Sequence, residues 1–366
     1  MPSEISAIRR THPRSGAPPL GSASAFTDLA RIVKDAGLMR RRYGYYWTKL
    51  IALPLVLVAC LVAFVFIGDT WWQLFTAAGL AIVLTQIAFL GHDAAHRQIF
   101  VSGRMNDWTS LIIADLLVGM SYGWWRHKHS RHHANPNKPG ADPDLDLPII
   151  AVTPDRARSA RSPLTRWAMS HQGAFFFPLL LFEGVSLHAS SVRRVFFSRE
   201  PVERRWWEIA MISVRLIGFT TLVFIVLAPL TALVFLVVQL AVFGFYMGAS
   251  FAPNHKGMPL ISPGAKIDFL RKQAETSRDI RGSRLLDIAM GGLNYQIEHH
   301  LFPSMPRPHL RRAAVIVRAY CDAHDVRYTS TSLFASYATV VRYINRVGLG
   351  ERDPFDCPMI AQRRAI

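Results

Sequence analysis

Residues 121–137 read SYGWWRHKHSRHHANPN, and the histidine spacing in that stretch decides how the rest of the chain is read. His129, His132 and His133 fall at i, i+3 and i+4, which puts three imidazoles on one face of a helix. Residues 291–303, GGLNYQIEHHLFP, repeat the spacing with Gln296 in the first place and His299 and His300 in the others. Residues 91–100, GHDAAHRQIF, add His92 and His96 at i, i+4, and His255 stands apart in PNHKG. Imidazole suits iron, copper or zinc. Eight such groups exceed what one first-row ion uses, so the pattern predicts two metals. Zinc is the runner-up metal, but HEXXH, the zinc-hydrolase pattern, is absent. Haem fits less well, because these histidines lie outside the apolar runs instead of within them.

Those runs set the fold class. Of 366 residues, 51% are apolar and 18% charged, so long uncharged stretches read as bilayer spans and not as a large soluble core. Four are long enough to cross, at about 48–67, 71–90, 207–227 and 231–250, each pair joined by a three-residue turn. The expected architecture is an all-α integral membrane protein: four spans in two hairpins, with a cytoplasmic helical cap that holds the metals. Residues 1–25, rich in Arg, Pro, Ser and Gly, read as a mobile tail without a signal peptide. Residues 26–303 form the membrane domain, and 304–366 read as peripheral helices and tail. Apolar stretches at 111–122 and 174–182 are too short to span and read as interfacial or buried helices.

The net charge of +17 sits mostly on Arg outside the spans. Arg40, Arg41 and Arg42 precede the first span, Arg97 and Arg104 follow the second, and Arg204 and Arg205 precede the third, while the turns carry no Lys or Arg. The positive-inside rule then puts both termini and the connecting domain in the cytoplasm. No basic stripe interleaved with aromatics argues for nucleic acid. Cys60, Cys321 and Cys357 are isolated, with no CxxC for an iron–sulfur cluster or zinc ribbon. A helix from Trp71 to His96 rises roughly 39 Å against a hydrocarbon core of ~30 Å, which brings the first histidine pair out on the cytoplasmic side. A shared site requires an even number of crossings between histidine clusters.

The strings GHDAAHRQIF, SYGWWRHKHSRHHANPN and GGLNYQIEHHLFP resemble the membrane fatty acid desaturase family, over about Leu90 to Pro303. Gln296 in the third box resembles the front-end and acyl-lipid branch. The resemblance implies a non-haem di-iron centre held by His92, His96, His129, His132, His133, His255, His299 and His300, with Gln296 as a weak ligand or as support behind the ligands. It implies O2 as co-substrate and a long-chain fatty acyl substrate, as acyl-CoA or membrane lipid. The fused haem-binding donor of eukaryotic front-end members carries His-Pro-Gly-Gly. Here His12 and Pro13 are followed by Arg14 and Ser15, so electrons are expected from a separate ferredoxin-like carrier with its reductase. That, and the preference for Arg over Lys, lean toward a bacterial plasma membrane. In acyl-CoA members an Asn stands four residues before the last-span His; Phe251 occupies that place, leaving the role to Asn254.

Other residues carry competing readings. Asp93 either orients a ligand imidazole or pairs with Arg97 on a helix surface. Asp142, Asp144 and Asp146 read as a solvated turn around Pro143. Trp124 and Trp125 wall an acyl tunnel or form an interfacial pair. His12, His127, His171, His188, His309 and His324 read as ordinary histidines. The expected function is O2-dependent insertion of a double bond into a fatty acyl chain. Rivals are a hydroxylase, ketolase or epoxidase on the same scaffold, and a non-enzymatic metal or electron carrier. A carrier should line the bilayer midplane with polar ligands. The spans hold few candidates: Gln86 and Gln239 suit helix packing, and Arg215 cannot ligate a cation.

Overall fold

A computed structural model describes residues 22–349 apart from 148, 149, 160, 161 and 263. Four helices are long and apolar enough to cross a membrane: α2 (Tyr43–Ile67), α3 (Gln73–Ala95), α10 (Arg205–Val226) and α11 (Pro229–His255). Each ends where the sequence loses its helix chemistry. Gly68 follows α2 with φ of 66°, a conformation that costs other residues strain. Gln73 then donates to the carbonyls of Phe64 and Gly68 at 2.7 and 2.8 Å, satisfying acceptors that α2 leaves open. Pro229 opens α11, where its missing N–H costs nothing.

The two pairs share their burden unequally. α2 and α10 turn Leu55, Phe66, Ile217 and Ile225 outward, as lipid-facing helices do. α3 and α11 form the interior around Leu84, Ile87, Phe235 and Phe243. Gln86 of α3 donates to the hydroxyl of Tyr246 on α11 at 2.8 Å, so a polar side chain in a span is spent on helix packing. A bent pair, α8 (Gln172–Leu180) and α9 (Glu183–Val192), breaks by 66° and leans on α11. There Gly184 and Gly244 let the backbones touch: a Cβ on Gly184 would sit 2.2 Å from the Leu240 carbonyl oxygen.

The segment between α3 and the second box folds back. α4 (Gly103–Leu111) runs into a π-helical stretch, Ile112–Val118, which stops at Gly119 with φ of 92°. Its open carbonyls meet donors from other helices: Arg215 Nε reaches Leu117 O at 2.8 Å, and His188 Nε2 reaches Val118 O at 3.3 Å. Arg215 thus pairs with a neighbouring segment. Next begins α5 (Tyr122–Ala134), whose first amides are taken by Asp115 (Tyr122 N, 2.8 Å), Glu208 (Gly123 N, 3.1 Å) and Ser121 (Trp124 N, 3.0 Å). Carboxyl oxygens at a helix N-terminus satisfy amides and face the positive end of its dipole. The second box therefore rides on a helix pinned by three capping side chains.

The remaining helices form the end that carries the histidines. α1 (Ser22–Asp35), α12 (Phe269–Glu275), α14 (Gln296–Leu301) and α15 (Leu310–Ala323) close around Leu29, Val33, Ile297, Leu301 and Val317. α16 (Leu333–Gly348) packs Val340 and Ile344 against Phe176 and Leu180 of α8. A short parallel ladder pairs Asp279–Arg281 with Ser330–Ser332. Two expectations change here. The tail expected over 1–25 lies outside the described residues up to 21, but a helix already begins at Ser22. The segment after Pro303 is not peripheral, because its apolar faces complete both of these cores. The C-terminal residues from 350 onward lie outside the described residues.

Candidate metal centre

α3, α5, α11 and α14 each deliver imidazoles to one place. His92 lies in the last turn of α3 and His96 caps it, with ring centroids 4.6 Å apart. His129, His132 and His133 project from one face of α5, His299 and His300 from α14, and His255 ends α11. Their nitrogens fall into two groups, each with atoms within 4.8 Å of one another: His92, His96, His129 and His299, then His132, His255 and His300. His133 belongs to neither group by that measure and lies between them. Its Nε2 is 3.0 Å from Nε2 of His129, and its ring stacks on His300 at 4.2 Å. All eight predicted histidines thus meet.

The outer nitrogens fix which atoms face inward. His132 Nδ1 donates to Asp142 at 3.0 Å, His255 Nδ1 to the Thr276 carbonyl at 3.0 Å and His300 Nδ1 to Gln273 Oε1 at 2.9 Å. Those acceptors put the proton on Nδ1, so each Nε2 carries a lone pair. Yet Nε2 of His255 lies 3.3 Å from that of His132 and 3.1 Å from that of His300. Three lone pairs converging at such distances repel unless a cation sits among them. In the other group Nε2 of His92, His96 and His299 is buried without any partner. An orphaned buried acceptor costs ~1–3 kcal/mol, which metal coordination removes. The residues present fit a pair of metal ions.

Protonation agrees. Burial pushes the pKa values of His96, His129, His133, His299 and His300 well below the ordinary imidazole value, leaving the neutral form that ligates. His132 differs: burial opposes its charge, but the carboxylates of Asp144 and Asp142 outweigh that and raise it. Gln296 directs its amide nitrogen to His255 Nε2 at 2.9 Å, and Asn254 donates to Gln296 Oε1 at 3.3 Å. Asp93 Oδ1 stands 3.6 Å from His92 Nδ1 and Oδ2 pairs with Arg307, not with Arg97.

Sequence reasoning missed Asp142. It is 1% exposed and also accepts from the backbone amides of Asn137 and Asp144 at 2.8 and 2.9 Å. The solvated turn expected there holds for Asp146 alone, since Asp144 pairs with Lys128 at 2.8 Å. The spacing of ten residues from His132 to Asp142 gave no signal, because no helical period joins them. Among histidines read as ordinary, His171, His188, His309 and His324 each reach a backbone carbonyl. His127 faces an open groove beside Arg126 and Arg131, away from the cluster, and His12 lies outside the described residues.

A small apolar cavity of about 30 Å³ adjoins the centre, walled by Phe89, His92, Val118, Met120, Trp125 and Phe251. Trp125 also stacks on His129 at 4.3 Å, so it is a wall of the cavity and of the centre. Trp124 does not line it.

Four apolar helices, two histidine groups spaced for metal and an adjoining apolar cavity define a membrane oxidoreductase scaffold. Residues 69–332 match the family model described as Fatty acid desaturase. Over 349 residues the chain is 28% identical to a Delta(8)-fatty-acid desaturase of Helianthus annuus, covering 90% of this chain and 74% of that one. It is 30% identical to an Acyl-lipid (9-3)-desaturase of Physcomitrium patens (88% of this chain, 62% of that one). A Delta(6)-fatty-acid desaturase of Caenorhabditis elegans is also 30% identical (86% and 72%). The chain belongs to the fatty acid desaturase family, as a front-end member.

Proposed function

We propose that the chain inserts a double bond into a long fatty acyl chain, using O2 and electrons from a separate carrier, at a pair of non-haem irons. The observation that carries this is the convergence of lone-pair nitrogens beside an apolar cavity. His92, His96, His129 and His299 would hold one iron and His132, His255 and His300 the other, with His133 and Gln296 within reach. Bound iron supplies the redox chemistry that activates O2. The protein's part is placement. The cavity is narrow, about 30 Å³, and its apolar wall runs up to His92. The reacting methylenes, seated against that wall, would be desolvated and held in one register, which converts an encounter into an oriented reaction. Trp125 and Phe251 fence the reacting carbons off from water.

Arginines flanking the spans support a cytoplasmic centre with both termini on that side. The acyl carrier, whether lipid or CoA, would present its polar head there, and a ferredoxin-type donor would dock on the same side. The test is expression in a host with compatible donors, followed by fatty acid methyl ester profiling. A new species lacking two hydrogens, absent with His132→Ala, is the expected result. A product that gains an oxygen atom, or an unchanged profile from purified iron-loaded protein, overturns desaturation.

A further inference from the structure

Arg307, in the stretch that follows the third box, reaches back beneath the first. Its side chain is 10% exposed. One terminal nitrogen contacts Asp93 Oδ2 at 2.8 Å as an ion pair and gives its aligned hydrogen bond to the Phe89 carbonyl at 2.7 Å. The Arg307 amide donates to the Tyr46 hydroxyl, which donates to Gln98 Oε1, and Gln98 in turn holds the Pro303 carbonyl. Gly292, with φ of 79°, makes room for the arginine stem: a Cβ there would sit 2.6 Å from Arg307 Cγ. One guanidinium nitrogen is thus held against the last turn of α3, while the backbone of Arg307 is fixed through Tyr46 and Gln98.

Asp93 is 2% exposed, and a carboxylate so buried needs a counter-charge. His92 must be neutral to ligate, and Arg97 turns toward Gly103 instead. Arg307 supplies the charge and also decides where the carboxylate points, with Oδ2 held and Oδ1 left facing His92 Nδ1. The other histidine group also has a carboxylate behind an imidazole, but at hydrogen-bond distance, 3.0 Å against the 3.6 Å contact of Asp93 with His92. Behind His132, Asp142 is held by neutral backbone amides. One carboxylate keeps its full charge for its imidazole, and the other shares it with a cation.

We infer that Arg307 is a positioning residue for the first histidine box: by clamping Asp93 it orients His92 and makes the metal position of His92 electronically unlike that of His132. This rests on the two-iron reading above. The test uses the full-length chain loaded with 57Fe, with iron content, Mössbauer spectrum and melting midpoint measured together. Wild type is expected to hold two irons in two resolved doublets. In Arg307→Met one doublet shifts or is depleted, with about tenfold weaker retention of that iron, while the other is unchanged. Asp93→Asn should alter the same doublet, the double variant should add nothing, and Arg307→Lys should recover part of the loss. Folded Arg307→Met with wild-type doublets and iron content overturns the inference. If Arg307→Met does not fold, unchanged doublets in Asp93→Asn overturn it equally. A wild-type chain holding fewer than two irons overturns the two-iron reading, and the inference with it.

Discussion

Replacing Asp142 separates what holds the metal from what holds the fold. The carboxylate takes His132 Nδ1 on both oxygens (3.0 and 3.1 Å), the Asp144 amide on Oδ1 and the Asn137 amide on Oδ2. Asparagine keeps one oxygen, which can still reach His132, but turns its NH2 toward one backbone amide. The cost is one orphaned donor, ~1–3 kcal/mol. Losing the carboxylate behind a ligand imidazole should also weaken metal retention about 10- to 100-fold. Alanine orphans three donors, or ~3–9 kcal/mol before water enters. That approaches the whole stability of a typical domain, ~5–15 kcal/mol. Asp142→Asn should therefore fold and lose iron, whereas Asp142→Ala should fail largely as a fold. Iron per chain after dialysis against graded chelator, read beside the melting midpoint of the metal-free protein, tells them apart. Asp142→Asn retaining iron as wild type does would refute the reasoning.

Asp115 predicts a pH effect. Burial, reinforced by Glu208, raises its carboxyl from 3.8 to about 9, so the folded chain keeps a proton that the unfolded chain releases. Stability from this group is full below pH 3.8 and declines as pH climbs toward about 9. Asp115→Asn removes the slope, so thermal midpoints should favour the variant increasingly between those values; a constant gap refutes it. Gly184→Leu drives a side chain into the Leu240 carbonyl and should lower the melting midpoint by overpacking worth ~1–3 kcal/mol or more, with an unchanged midpoint as the contrary result. Met120→Trp should fill the cavity beside His92 and reduce substrate conversion about a hundredfold while iron content stays the same. Undiminished conversion would place the acyl chain elsewhere.

What the sequence discloses and what it conceals divide along a physical line. Helix periodicity is local, so His129, His132 and His133 announce a shared face, and the four spans show themselves, with the ends at Ile67 and Val226 met within a residue and the other six missed by two or five. Even the meeting of boxes some two hundred residues apart follows from counting crossings. How eight imidazoles divide is different: the grouping of His92 with His299, and of His132 with His255, depends on helix crossing angles that no spacing encodes. The clamps behind the ligands are hidden for a related reason. Asp142 lies in ADPDLD, which reads as a polar turn. It is buried only because Asn137 bends the chain at φ of 54° and ties it to carbonyls after His255. Arg307 looks like one surface arginine among many until α3 is laid beside it. A ligand must match its metal in type and spacing and therefore leaves a pattern. A clamp need only offer charge at one point, and any loop that folds there can bring it.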